Sequence, residues 1–224
     1  LPDNTLNNNK TPDRKIAHEE IYKKLFHSII TGGFEPGKVL TIRGLAEYLG
    51  CSPMPIREAV RRLVALGALE MKGTRRLSVA SMTKARLQEI WSARVLLEPE
   101  ISARALANVD KTLIKTLKII DDALSLAIEK GDADEYCRKN WEFHFAIYEA
   151  SQCPILLRLV ESIWLQFGPF MRMVTGRLGT SYKVDHHQKA IEALMNNDEE
   201  GIRNAIRSDI QDGMERILID FKNN

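Results

Sequence analysis

The segment from Pro36 to Val79 constrains the chain most, because its turn, cap and periodicity signals follow one another with almost no chain between them. In Glu35-Pro36-Gly37-Lys38 the proline presets φ at the second position and the glycine accepts the positive φ of a type II turn. Thr41 predicts an N-cap for a helix with Ile42, Leu45, Ala46 and Leu49 on one face, and Gly50 stands where a left-handed C-terminal residue is wanted. Gly44 works against that helix by about 1 kcal/mol relative to alanine. Ser52 predicts a second cap, with Pro53 and Pro55 in the first turn, where amide hydrogens have no intrahelical partner to lose. Ile56, Ala59, Val60, Leu63 and Val64 then form a core face, leaving Arg57, Arg61 and Arg62 elsewhere, available to phosphates and bases. Beyond Gly67, Leu69-Glu70-Met71 and Leu77-Ser78-Val79 alternate as strands do, and Lys72-Gly73-Thr74-Arg75-Arg76 predicts a basic wing tip. The order of these pieces predicts a winged helix-turn-helix.

Charge follows the same division. Residues 1–80 hold 13 basic and 8 acidic residues, a net +5, against 19 and 22, a net −3, in the rest. The basic excess lies on the unit that should meet phosphate. At 224 residues and 44% hydrophobic content the chain suits two small domains, each able to bury a core. The expected division is a disordered tail over residues 1–13, a DNA-binding unit of three helices and a two-stranded wing over 14–80, and an all-α bundle of about six antiparallel helices over 81–224. The fold class is therefore mainly α. Leu1 to Asn9 is polar and starts without methionine, which reads as a trimmed end to be left out of the fold. No apolar run reaches the ~20 residues of a membrane helix, so a cytoplasmic protein with no membrane partner is expected. Cys51, Cys137 and Cys153 are odd in number and lack metal-motif spacing, which argues against a disulfide framework or zinc finger.

After Thr83 the periodicity predicts helices over Lys84–Ala107, Lys111–Lys130, Ala133–Ser151, Ile155–Thr175, Ser181–Asn196 and Asp198–Phe221. Polar residues stand on faces of these helices that ought to be apolar. Asn140 and His144 are one turn apart beside Cys137, Trp141, Ile147 and Tyr148. His187 is in line with Val184, Ala190, Ile191 and Leu194, whereas His186 reads as a surface residue. Asp209 follows Ile202 and Ile206 into the core face, where an ionised carboxylate needs a partner. Two imidazoles, a carboxylate and an amide oxygen make a ligand set for zinc, nickel or manganese; the alternative is a His-Asn-Asp hydrogen-bond network without metal.

Two resemblances bear on function. The runs Glu35 to Leu40, Leu45 to Gly50 and Ser52-Pro53-Met54-Pro55-Ile56-Arg57-Glu58-Ala59 resemble the GntR transcriptional regulators over residues 14 to 80. That resemblance implies DNA contacts by Arg57, Arg43 and Ser52, to which Arg61 and the wing residue Arg75 are natural additions. Pro53 and Arg76 depart from the family pattern, which has an arginine and a glycine there, so the half-site read should differ from the usual one. In the second half, Arg94 to Glu98, Asn140 to His144 and His187 to Leu194 resemble the FCD effector domain of the FadR subfamily. Carried over residue by residue, the ligand positions are Asn140, His144, His187 and Asp209, two of them changed in type with the formal ligand charge conserved. The resemblance also places Arg94 near the pocket, where it would pair with a carboxylate effector; the competing role is an ion pair with Glu98, one turn away. Trp164, Phe167, Phe170 and Met173 are expected across the cavity, or as plain core.

Together these features imply a homodimeric, ligand-responsive regulator of a palindromic DNA operator, in the sense of a repressor released by a small carboxylate. Two rivals stand beside it. One is a metal-dependent enzyme on the helical domain, although Glu142, two residues from His144, faces another way and leaves that centre without a base. The other is a regulator whose helical domain only dimerises.

Overall fold

The computed structural model describes residues 11–72, 76–171 and 185–223, with their side chains except at 11–17, 72, 216 and 219–223. The N-terminal module contains α1 (Thr11–Ile30), α2 (Ile42–Leu49) and α3 (Pro53–Ala65), with strands β1 (Val39–Leu40), β2 (Leu69–Lys72) and β3 (Arg76–Val79). α1 begins at Thr11, within the span 1–13 expected as a tail, and residues 1–10 lie outside the described set.

Local chemistry produces these elements much as expected. Lys38 N–H reaches Glu35 O at 3.2 Å and Gly37 takes φ 71°, so the Pro-Gly turn forms. Thr41 Oγ1 accepts the Gly44 N–H at 2.9 Å, and Gly50 closes α2 with φ 65°. Gly44 also acquires a reason: a Cβ there would lie 3.0 Å from Thr41 Oγ1, so a side chain would crowd the cap. Ser52 holds the N-cap position of α3, but its side chain makes no capping bond, so Pro53 in the first turn sets the start of that helix. Ile56, Ala59, Val60 and Leu63 are buried against Leu25, Ile29 and Ile30 of α1. The sheet has three strands rather than two, in the order β1-β3-β2, all antiparallel. Leu40 faces Leu77 on one side of β3 and Met71 faces it on the other. A two-residue strand is too short to show alternation, which is why β1 is invisible to pattern reading.

The second half holds α4 (Lys84–Ala105), α5 (Lys111–Lys130), α6 (Ala133–Ala150), α7 (Pro154–Phe167), α8 (His186–Met195) and α9 (Glu199–Asn223). Thr83, Asp110, Asp132 and Asp185 each accept the N–H three residues on, satisfying one orphan donor at the start of α4, α5, α6 and α8. Gly131 ends α5 with φ 66°. α7 ends at Phe167, where Pro169 has no N–H to donate and the chain tightens into a 3-10 turn over Gly168–Phe170; residues 172–175 of the expected helix lie outside the described residues. In the bundle α9 packs on α4 and α8, α5 on α6 and α8, and α4 on α6 and α7. No helix among the described residues is long and apolar enough to cross a membrane.

Candidate metal centre and nucleic-acid interface

His144 from α6, His187 from α8 and Asp209 from α9 meet inside the bundle with one ligand atom from each within 4.8 Å of the others. His144 is fully buried and His187 is 6% exposed. Asn140, also buried, lines with His187 and Asp209 a cavity of about 250 Å³ whose wall includes Asp121, Tyr136 and Asp185. All four expected ligands are therefore gathered at one place.

The partners on the far side of each imidazole decide what the near side presents. Tyr148 Oη donates to Glu98 Oε2 at 2.6 Å and stands 3.0 Å from His144 Nδ1. Glu98 is held as a carboxylate by Arg94, whose Nε and Nη2 donate to Oε1 and Oε2 at 2.6 and 3.1 Å. The single tyrosine proton goes to that carboxylate, so His144 Nδ1 carries the hydrogen and donates to Tyr148. His144 Nε2 is left with its lone pair, 3.1 Å from Asp209 Oδ2. That contact is short but not aligned as a hydrogen bond, and Nε2 is a buried nitrogen without a hydrogen-bond partner among the described residues. On the other ring, His187 Nδ1 lies 3.1 Å from Asp121 Oδ1, while Nε2 faces Asp209 Oδ1 at 3.9 Å. The His187 ring is also stacked on Phe143 at 3.9 Å, which fixes its plane. Two imidazole nitrogens and a carboxylate thus converge with their outer hydrogen bonds already made. Such a set can hold a cation between its members, and an ion with bonds of about 2.0–2.2 Å would hold its ligands about 3–3.5 Å apart.

Electrostatics agree with the geometry. Burial pulls the His144 pKa down against the pull of Asp209, so the ring is neutral. Burial also lowers His187, but the Asp121 hydrogen bond and the Asp209 charge outweigh it and the net shift is upward. Burial would raise Asp209, but the positive groups near it, His187 and Arg94 among them, hold it well below the usual carboxylate range.

Several expected roles are redistributed. Arg94 is 4% exposed, paired in bidentate fashion with Glu98 and stacked over Trp164 and Phe167 at 4.7 and 4.3 Å, so its guanidinium holds Glu98 and does not reach the cavity. Trp164 is fully buried with its ring 5.4 Å from His144, behind the site rather than on the cavity wall. His186 is not a surface residue: its side chain is 12% exposed, lines the cavity and meets Asp212 at 2.9 Å. Met173 lies outside the described residues. Pattern reading missed Asp121 and the hydrogen bond of Tyr148 to Glu98. Asp121 stands among Leu117, Ile120 and Leu124, the same acid-on-an-apolar-face signal that singled out Asp209.

On the N-terminal module, Arg57 and Ser52 are exposed on and before α3, and Arg43 and Arg61 are exposed with loose partners, Glu47 at 3.0 Å and Glu58 at 3.6 Å. Such surface pairs are worth under about 1 kcal/mol and yield readily to phosphate. Arg62 is different, since it donates to Glu19 at 2.8 Å and lies 3.3 Å over the Tyr22 ring, tying α3 to α1. Arg75 lies outside the described residues.

Comparison with known proteins agrees with both halves. Residues 17–79 match the bacterial regulatory proteins of the gntR family, and residues 89–212 match the FCD domain. Over 195 residues the chain is 31% identical to the HTH-type transcriptional regulator McbR of Escherichia coli (strain K12), covering 86% of this chain and 88% of that protein. It is 25% identical over 201 residues to the gluconate operon transcriptional repressor of Bacillus subtilis (strain 168), covering 84% and 80%. The solved structure of E. coli McbR/YncC superposes with a TM-score of 0.83 at 29% identity, over 91% of this chain and 98% of that one.

Proposed function

The chain belongs to the gntR family of bacterial regulatory proteins and carries an FCD domain, and from that premise we propose that this DNA-binding transcriptional regulator is a metal-dependent repressor of the FadR subfamily. The relatives are named regulators and repressors, which places the chain among DNA-binding regulators and not enzymes. The gluconate operon relative is itself a repressor, which supports the sense of regulation.

In this reading a cytoplasmic homodimer presents two α3 helices to a palindromic operator, one helical turn, about 34–36 Å, apart. Arg57 reads base edges from α3, while Arg43, Ser52, Arg61 and Arg75 grip phosphate. His144, His187 and Asp209 hold zinc, nickel or manganese, with Asn140 beside them. The metal supplies a Lewis-acidic position for an oxygen ligand. A small carboxylate effector would bind through it alone, because Arg94 is engaged by Glu98.

The observation that carries the reading is the convergence of two imidazole nitrogens on Asp209 with both outer ring nitrogens already partnered by Tyr148 and Asp121. A ligand moves the regulator only through unequal affinity for its two states, and this is measurable. A palindromic duplex selected by the protein from a randomised pool is titrated with zinc-loaded and chelated protein, wild type beside His187→Ala. The reading expects at least about a fivefold difference in wild type and none in the variant. Equal affinities with and without zinc in wild type would leave the helical domain as a dimerisation module.

A further inference from the structure

We propose that Arg86 is the positioning residue by which the helical domain aims the recognition helix. Its guanidinium lies between three elements. Nη2 donates to Gly67 O at 2.8 Å and to Gln166 Oε1 at 2.9 Å; Nη1 donates to Glu70 Oε1 at 3.2 Å and Ser81 O at 3.4 Å. Gly67 is where α3 ends: it takes φ 73°, its N–H reaches Val64 O, and Ala68 N–H reaches Leu63 O, the pair of bonds that closes a helix in a Schellman turn. Arg86 therefore sits on the carbonyl of the glycine that closes the helix carrying Arg57 and Arg61.

Local preference does not explain that position. Arg86 stands in the first turn of α4, where its N–H bonds to the Thr83 cap and the helix dipole disfavours a cation. At the C-terminus of α3 the same charge is favoured. The fork of the guanidinium matches acceptors just past α3, on β2, on α7 and before α4, which a lysine could not do.

The joint has no slack. A Cβ on Gly67 would come 3.1 Å from Gln166 Oε1, and one on Gly168, just past α7, would come 2.3 Å from Ile30 O at the end of α1. α7 thus touches the DNA-binding module at two points, and two residues before Gln166 it carries Trp164, whose ring packs on His144. Arg86 fixes the angle at which α3 leaves the bundle, and with it the geometry offered to a specific site; non-specific phosphate contact does not need that angle. The proposal depends on DNA binding and not on a bound metal.

The test uses full-length protein, a duplex selected by wild type from a randomised pool, and a scrambled duplex of equal length at the same salt. Arg86→Gln, Gln166→Leu, the double variant and Arg86→Lys are titrated on both. Arg86→Gln should weaken the selected duplex by about tenfold and leave the scrambled one unchanged. The double variant should lose no more than the worse single one, and lysine should not restore affinity. Equal losses on both duplexes, additive losses in the cycle, or full rescue by lysine would each overturn the proposal, since they indicate loss of fold, independent contacts or plain charge.

Discussion

Arg94 lies at the base of the chain of contacts that sets the His144 tautomer, and its removal has a calculable cost. Glu98 is fully buried and Arg94 nearly so, at 0% and 5% side-chain exposure, with two bonds of 2.6 and 3.1 Å between them. Arg94→Met keeps most of the side-chain volume over Trp164 and Phe167 and leaves an ionised Glu98 with Tyr148 as its remaining side-chain donor. Breaking a buried pair from one side costs about 3–5 kcal/mol, because the remaining charge is uncompensated. For a chain of this length each kcal/mol moves the melting midpoint by about 2–4 °C, so a fall of roughly 6–20 °C is expected. Arg94→Met/Glu98→Gln removes both charges and keeps an acceptor for Tyr148; it should lose only about 1–3 kcal/mol. Urea unfolding of chelated protein, followed by tryptophan fluorescence, measures both. A single variant within about 1 kcal/mol of wild type, or a double variant as unstable as the single, would refute the assignment of Arg94 as the counter-ion of Glu98.

Asp121→Asn should weaken zinc affinity by about 10–100-fold by releasing the His187 ring, measured by competition with a chelating dye; unchanged affinity would remove Asp121 from the site. Arg57→Ala should lower affinity for a selected duplex by about 1–3 kcal/mol with little effect on a scrambled one, whereas equal losses would show that it only grips phosphate. In metal-free protein the raised His187 pKa means that the folded state binds the extra proton. The stability this adds is fully present below the ordinary value of 6.5 and is lost as pH rises through the raised one. Melting midpoints of wild type relative to His187→Gln should therefore decline as pH rises above that value, and a gap that widens instead would contradict the Asp121 and Asp209 contacts.

What the sequence made legible was chemistry completed within a few residues. Thr41 and Gly50 bound α2, because each cap satisfies backbone groups three to five positions away. The gathering of Asn140, His144, His187 and Asp209 was also legible, since a polar residue on an apolar helical face has to meet something. The partners were not. Arg94 and Glu98 are visibly one turn apart, yet their exclusive pairing depends on Tyr148, 50 residues from Glu98, and on burial that no local pattern encodes. His187 looked complete without Asp121, which lies 66 residues before it. Arg86 carried no signal at all, because its four acceptors come from separate segments of the chain. The 3-10 turn after α7 was not read from the sequence, because its signal, Pro169, was outweighed by the apolar run around it.

The central claim is that the three converging side chains hold a metal ion, and elemental analysis of protein purified without chelator tests it most directly, with His187→Ala and Asp209→Ala prepared alongside. About one equivalent of zinc, nickel or manganese per chain in wild type, lost in both variants, is the expected result. Metal absent from wild type, or retained undiminished by the two variants, would contradict it.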